Sequence, residues 1–124
     1  MRRVKLGDME AAFANIVWET EPVASGKLAK IAGERLGWKV TTSFTVLKRI
    51  CDKGFFRNDH GTVTAVVPRE KYYSDYGEFF VDEAYHGSLP AFVAAFTKRR
   101  ELKKDELEEL KNMIEEYEKN GSVK

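Results

Sequence analysis

The spacing of hydrophobic residues changes close to Gly54, and that change constrains the fold more than any other feature. Before Gly54, hydrophobic residues recur at the three- and four-residue intervals of amphipathic helices. After it, the turn signal Asn-Asp-His-Gly at 58–61 precedes a β-branched run at 62–67, which predicts a two-stranded hairpin. Three helices followed by a hairpin are typical of a winged-helix domain, a relative of the helix-turn-helix.

The three helices predicted in this first part cover residues 6–19, 25–37 and 41–53. Ser25 and Gly37 are suitable caps for the two ends of the second helix. Thr41 or Thr42 is suited to cap the third helix, which we expect to stop before Gly54.

The second part of the chain is predicted to be helical. A fourth helix has an aromatic side and ends at His86-Gly87, and Ser88 is suited to cap a short fifth helix over 89–96. After a polar connection at 97–100, a stripe of leucines and other hydrophobic residues predicts a last helix that extends to about Tyr117.

The expected fold class is mainly α with a small β-hairpin: a winged helix-turn-helix domain over 1–70 and a C-terminal helical dimerisation arm over 71–124. The chain has 124 residues, 43% hydrophobic and 33% charged, which indicates a soluble globular protein. No apolar run is long enough to span a bilayer. Asp8 and Glu10 interrupt the basic start where a secretory signal needs an apolar core, so a cytoplasmic location is expected.

Enzyme chemistry, a metal site and a cofactor are not expected. The single cysteine, Cys51, excludes an internal disulfide and a cysteine-cluster metal site, and its neighbours suggest a small core residue. His60 and His86 are not at ligand spacing on one helix. The sequence contains no glycine-rich phosphate loop before a helix, and no nucleophile with a matching base is apparent.

The charge of the chain is unevenly distributed. Residues 1–69 carry 12 basic and 7 acidic residues, a net charge of +5, whereas residues 70–124 carry 9 and 13, a net charge of −4. A basic first part and an acidic second part suggest that only the first part meets a polyanion. An uneven surface charge without a function is the alternative.

The third predicted helix has two chemically different faces. The residues expected in the core are Ser43, Val46, Leu47, Ile50 and Cys51. The opposite face offers hydroxyl and basic groups, which are suited to base edges and phosphates. The candidate DNA-binding residues of this region are Lys39, Thr41, Thr42, Thr45, Lys48 and Arg49. Phe44 lies between the faces and either closes the core rim or touches DNA, and Arg57 and His60 of the wing are candidates for phosphate contacts.

The second part carries more aromatic surface than three short helices can enclose. It either packs back on the first domain or, as we expect, on its copy in a second subunit, because two-fold homodimers are the commonest oligomers. The candidate dimerisation residues are Tyr76, Phe79, Phe80, Phe92, Phe96, Leu107, Leu110 and Ile114.

Four segments of the sequence together point to a known family, although no single one does so alone. They are Gly-Trp-Lys-Val-Thr-Thr-Ser-Phe-Thr-Val-Leu-Lys-Arg-Ile-Cys-Asp-Lys-Gly at 37–54, Ile-Val-Trp-Glu at 16–19, Tyr-His-Gly-Ser-Leu at 85–89 and Glu-Leu-Lys-Lys-Asp-Glu-Leu-Glu-Glu-Leu at 101–110. With them the chain resembles the penicillinase repressor family of winged-helix transcriptional repressors, over nearly its whole length.

The resemblance implies a homodimer that binds double-stranded DNA at palindromic operators, with dimer contacts from the C-terminal helices. In the family, a membrane sensor with a cytoplasmic metalloprotease relieves repression by cleaving the short fifth helix before a phenylalanine. The matching bond here is Ala95–Phe96, although the best-studied members have asparagine where this chain has Ala95. A copper-responsive branch carries paired cysteines near its C-terminus, which this chain lacks.

The third predicted helix also departs from the family pattern. Thr41 replaces a lysine and Phe44 a basic residue, whereas Thr42, Thr45 and Arg49 match. The resemblance therefore implies a shared docking mode on a different operator. Two alternatives remain: a winged-helix protein-interaction module whose basic face is incidental, and a repressor of an unrelated regulon induced by a small ligand in the dimer cleft.

Overall fold

The computed structural model describes residues 5–121, which form six helices and three short strands. The helices are α1 (Asp8–Thr20), α2 (Ser25–Leu36), α3 (Val40–Asp52), α4 (Arg69–Tyr85), α5 (Leu89–Arg99) and α6 (Lys104–Lys119). The strands are β1 (Val23–Ala24), β2 (Phe56–Asp59) and β3 (Thr62–Ala65). The chain divides after Phe80 into two compact units. The predicted fold class, mainly helical with a small wing, is confirmed.

The core of the first unit lies between α1, α2, α3 and the sheet. Its largest fully buried side chains are Phe13, Leu28, Ile50, Val17, Val46 and Val63. They come from helix positions three and four residues apart and from the inward side of the hairpin, as the hydrophobic pattern predicts. The core thus holds α3 from one side only, and its other side faces outward.

The predicted hairpin is present as β2 and β3, and the strand β1, which the sequence does not predict, extends it to a three-stranded antiparallel sheet in the order β1-β3-β2. The added strand has only two residues, Val23 and Ala24, opposite Val63 and Thr62. Two residues are too few to produce a periodic pattern, so the sequence gives no signal for it. Between β2 and β3, His60 has φ 53° and Gly61 φ 93°, the positive angles of a tight hairpin turn.

The predicted N-caps of two helices are wrong by one to three residues. Ser25 is the first residue of α2 and not its cap, and its N–H donates to the carbonyl of Gly61 at 2.8 Å. The third helix begins at Val40 after the N-cap Lys39, which leaves Thr41 and Thr42 inside the helix. Their hydroxyls therefore do not serve as helix caps.

Both predicted glycine stops are confirmed by positive φ angles, which favour glycine. Gly37 follows α2 with φ 69°, and Gly54 lies two residues after the end of α3 with φ 90°. Gly37 keeps the connection between α2 and α3 short, as a helix-turn-helix requires.

The N-terminal part of α4 belongs to the first unit. Tyr72 is buried, and its hydroxyl accepts a hydrogen bond from the N–H of Leu6 at 2.8 Å. The Trp18 ring lies against Tyr72, with 5.8 Å between ring centroids, and its Nε1 donates to the carbonyl of Val67. An aromatic cluster therefore attaches the start of α4 to α1 and the hairpin.

The second unit contains the end of α4 with α5 and α6. Ser88 caps α5 as predicted, because its Oγ accepts from the N–H of Ala91 at 3.1 Å. The prediction that 97–100 forms a polar connection is wrong for its first three residues, since α5 continues to Arg99. Thr97 fits in the helix because its hydroxyl donates to the carbonyl of Val93 at 2.9 Å.

Candidate nucleic-acid interface

The buried face of α3 is the one that the hydrophobic pattern predicts. Ser43, Val46, Leu47 and Ile50 are buried, and Cys51 is half-buried. Burial raises the pKa of the Cys51 thiol, which favours its protonated form. This face packs on α1 and α2, so the helix is fixed in rotation with its opposite side outward.

The outward face of α3 carries most of the predicted DNA-binding side chains. Its exposed members are Thr41, Phe44, Thr45, Lys48 and Arg49, preceded by the exposed N-cap Lys39. Thr42 is half-buried at the margin. The structure thus brings the hydroxyl and basic groups to one surface.

Phe44 is 43% exposed and lies outward instead of closing the rim of the core. A contact between Phe44 and DNA stays a prediction. Val40, one turn earlier, is 58% exposed. The first two turns of α3 therefore present large apolar side chains to the surrounding solvent, next to the threonines.

Two hydrogen bonds limit what the outward face can offer. The hydroxyl of Thr45 donates to the carbonyl of Thr41 at 2.9 Å, so its proton is used within the helix. Lys48 Nζ lies 3.1 Å from the carboxylate of Asp52, one turn further along, and both side chains are exposed. A phosphate that approaches Lys48 must therefore compete with Asp52, a residue that was not among the predicted site residues.

The C-terminal end of α3 is attached to the start of α1 by an ion pair. Lys53 Nζ lies 2.6 Å from Oε1 of Glu10, and the same oxygen accepts the N–H of Gly7 at 2.7 Å. The lysine and this backbone N–H hold the pKa of the Glu10 carboxyl below its usual range. In the sequence this pair has only a weak signal, a glutamate at the third position of a helix.

Arg57 and His60 of the wing are both exposed, as a contact with phosphate requires. Phe56 is buried under the sheet, and the alternation along β2 turns Arg57 to the other side. At the tip, His60 Nδ1 lies 2.8 Å from the carboxylate of Asp59. Asn58 Oδ1 accepts the N–H of Gly61, which orders the turn.

The predicted dimerisation residues lie on three helices, α4, α5 and α6. Tyr76 is half-buried and packs against the core of the first unit. Phe79 and Phe80 are exposed on α4, and on α5 the half-buried Phe92 contacts Phe96, with ring centroids 6.0 Å apart. An exposed stripe on α6 consists of Leu107, Leu110, Met113, Ile114 and Tyr117.

The two cleavage candidates lie within α5. Ala95 is half-buried and Phe96 is exposed.

Within residues 5–121, no three histidine, cysteine or carboxylate side chains come together in a way that could hold a metal ion. Over the same residues, no helix has the length and apolar character needed to cross a membrane.

A family model and individual known proteins both show similarity to this chain. The penicillinase repressor family model matches residues 6–116. The methicillin resistance regulatory protein MecI of Staphylococcus aureus strain Mu50 is 23% identical over 114 residues, which are 89% of this chain and 93% of that protein. The protein of the same name from Mammaliicoccus sciuri is 22% identical over the same shares. Since the family match extends over most of the chain and over both of its compact units, this protein belongs to the penicillinase repressor family and is a transcriptional repressor.

Proposed function

We propose that this repressor binds a palindromic operator as a homodimer, with α3 in the major groove of double-stranded DNA. The observation that carries the proposal is the division of α3 into a buried apolar face and an exposed face of threonine, lysine and arginine side chains. A helix held in this way by a small helical domain is the reading element of helix-turn-helix proteins. Its relatives that are named methicillin resistance regulatory proteins support a regulatory role.

The exposed residues of α3 have separate roles in the proposed complex. Thr41, Thr42 and Thr45 lie in the first turns, which approach base edges in helix-turn-helix complexes. Arg49 reaches a guanine or a phosphate, and Lys48 a phosphate. Lys39, Arg57 and His60 add backbone contacts at the two sides of the helix.

The homodimer is supported by the apolar stripe on α6. Leu107, Leu110 and Ile114 repeat at helical intervals and are exposed in the single chain. Such a stripe is normally covered by another apolar surface, and a second copy supplies an identical one. Two copies present two α3 helices, so half-site centres about 10 bp apart, or a multiple of that, are expected.

In vitro selection from a random duplex library tests the proposal. The purified chain is expected to enrich a palindrome whose half-sites have this spacing, and to bind it with steep salt dependence. Enrichment of no sequence, together with weak binding that is equal for all duplexes, would instead favour a winged-helix protein-interaction module.

Loss of repression by proteolysis at Ala95–Phe96 is a further part of the proposal, supported by the place of this bond in the family pattern. The bond lies in the interior of α5, so a protease must first unwind that helix locally. Co-expression with a membrane sensor protease, followed by mass mapping, should give fragments that end at Ala95. An intact chain after induction would argue for a ligand-induced repressor.

A further inference from the structure

The first two turns of α3 carry an exposed apolar pair, Val40 and Phe44. They are one helical turn apart and therefore lie on the same side of the helix. Val40 is 58% and Phe44 43% exposed, whereas the hydrophobic residues on the other side of α3 are almost fully buried. Core packing therefore does not explain these two side chains.

The basic residues near Val40 and Phe44 indicate which part of a DNA duplex the pair contacts in the proposed complex. Lys39 precedes the pair, and Lys48 and Arg49 follow it on the outward side of the same helix. In the proposed complex these cations contact phosphates or guanine, and the N-terminal turns between them approach the base edges. If α3 enters the major groove as proposed, the pair lies against base edges and not against the phosphate backbone.

The major-groove edge of DNA presents one kind of apolar group, the C5-methyl group of thymine. The neighbouring Thr45 adds its own methyl group, while its hydroxyl proton is already donated to the carbonyl of Thr41. Thr45 therefore adds apolar contact surface next to Val40 and Phe44, while its hydroxyl proton stays within the helix.

We infer that Val40 and Phe44 read thymine methyl groups, so that each half-site of the operator carries thymines where the first two turns of α3 enter the groove. This inference rests on the proposed function. It assigns Phe44 a role in sequence recognition. The operator would then be recognised by its thymine methyl groups as well as by the base that Arg49 contacts.

The test uses the duplex selected by the purified chain and replaces single thymines with uracil, which removes only the methyl group. Each methyl group in contact should contribute about a fourfold change in affinity, as expected for one buried carbon. Thymines outside the half-sites serve as the control and should be insensitive to the replacement.

Phe44→Ala supplies the second arm of the experiment. The variant should bind the thymine operator more weakly than the parent and should no longer distinguish thymine from uracil at the position that it contacts. Because Phe44 is exposed, the variant should fold, and Val40→Ala is the companion variant for the neighbouring position.

The outcomes separate this inference from the proposed function. Steep, sequence-specific binding with equal affinity for the thymine and uracil operators overturns the inference and leaves the proposed function intact. The same holds if Phe44→Ala and Val40→Ala keep the full discrimination of the parent. Absence of specific duplex binding overturns both.

Discussion

Glu10 is 8% exposed at the start of α1, and two donors hold its carboxylate: the ammonium of Lys53 and the N–H of Gly7. A buried charge is tolerated only with such partners, because desolvation otherwise opposes ionisation. The pair joins the first turn of α1 to the end of α3. It therefore contributes to the orientation of the helix that we propose to read DNA.

The lowered pKa of Glu10 predicts an acid-sensitive contribution to stability. The contribution is fully present above the ordinary glutamate value of 4.5 and is lost as the pH falls through the lower value of the folded state. Glu10→Gln should cost about 1–2 kcal/mol at neutral pH and should flatten the loss of stability in acid. Urea unfolding between neutral and acid pH measures both effects. Parallel pH profiles for the two proteins would contradict the assignment.

The Lys48–Asp52 pair gives a second prediction at the level of single residues. Asp52→Asn should leave folding almost unchanged, because an exposed ion pair contributes only about 0–1 kcal/mol. It should strengthen binding to operator and scrambled duplexes alike and steepen the salt dependence by about one unit, since Lys48 becomes available to a phosphate.

The matched control for this prediction is Asp75→Asn. Asp75 and Lys71 form the same i, i+4 pair on α4, also at 3.1 Å. If Asp52→Asn and Asp75→Asn change DNA binding equally, the effect reflects net charge and not the position of Asp52 on α3.

At the scale of secondary-structure elements, the attachment of α4 to the first unit depends on aromatic residues. Tyr72 is buried among Trp18, Phe55 and Tyr73, and its hydroxyl accepts the N–H of Leu6. Next to it, Asn15 donates to the Tyr73 hydroxyl at 3.0 Å. These contacts fix the direction in which α4 begins.

Tyr72→Phe should destabilise the protein by about 1–3 kcal/mol, because the N–H of Leu6 is left buried without its acceptor. Tyr73→Phe is the matched control, with a smaller expected loss because its hydrogen bond to Asn15 is only partly buried. Equilibrium urea unfolding at one fixed protein concentration compares them. An equal loss in both variants would mean that burial of the Leu6 N–H is not the cause.

The helices were predictable because each has an amphipathic repeat several turns long, with glycines such as Gly37 and Gly54 at their ends. The start of α2 was less predictable, because the N–H of Ser25 donates to the distant carbonyl of Gly61. β1 has only two residues, and its existence depends on pairing with β3. Such long-range contacts leave no periodic pattern in the sequence.

The candidate site was predictable to a similar degree. The two faces of α3 follow from its periodicity, which correctly placed Thr45 outward and Ile50 inward. The orientation of Phe44, at the boundary between the faces, depends on packing and needed the structure. The same is true of the Glu10–Lys53 pair, whose partners are far apart in the sequence.

At the scale of the whole molecule, the proposed homodimer gives a direct prediction. Leu110→Glu should weaken self-association at least about a hundredfold, because an unpaired charge in a buried interface costs about 3–5 kcal/mol. Lys111→Glu changes the adjacent exposed residue of α6 and should have little effect. Sedimentation velocity over a range of concentrations measures both. A parent chain that stays monomeric at tens of micromolar would contradict the homodimer.

The proposed function depends on α3 as the helix that reads DNA. The ratio of the Kd values for a scrambled and a selected duplex tests this role most directly. Fluorescence anisotropy at several salt concentrations gives the ratio for the parent and for Thr45→Ala, Lys48→Ala and Arg49→Ala. Arg49→Ala should lose about 1–3 kcal/mol on the selected duplex if Arg49 contacts a guanine, which lowers the ratio. Thr45→Ala should also lower the ratio, whereas Lys48→Ala should weaken both duplexes alike. Parent-like binding of both duplexes by all three variants would contradict the account.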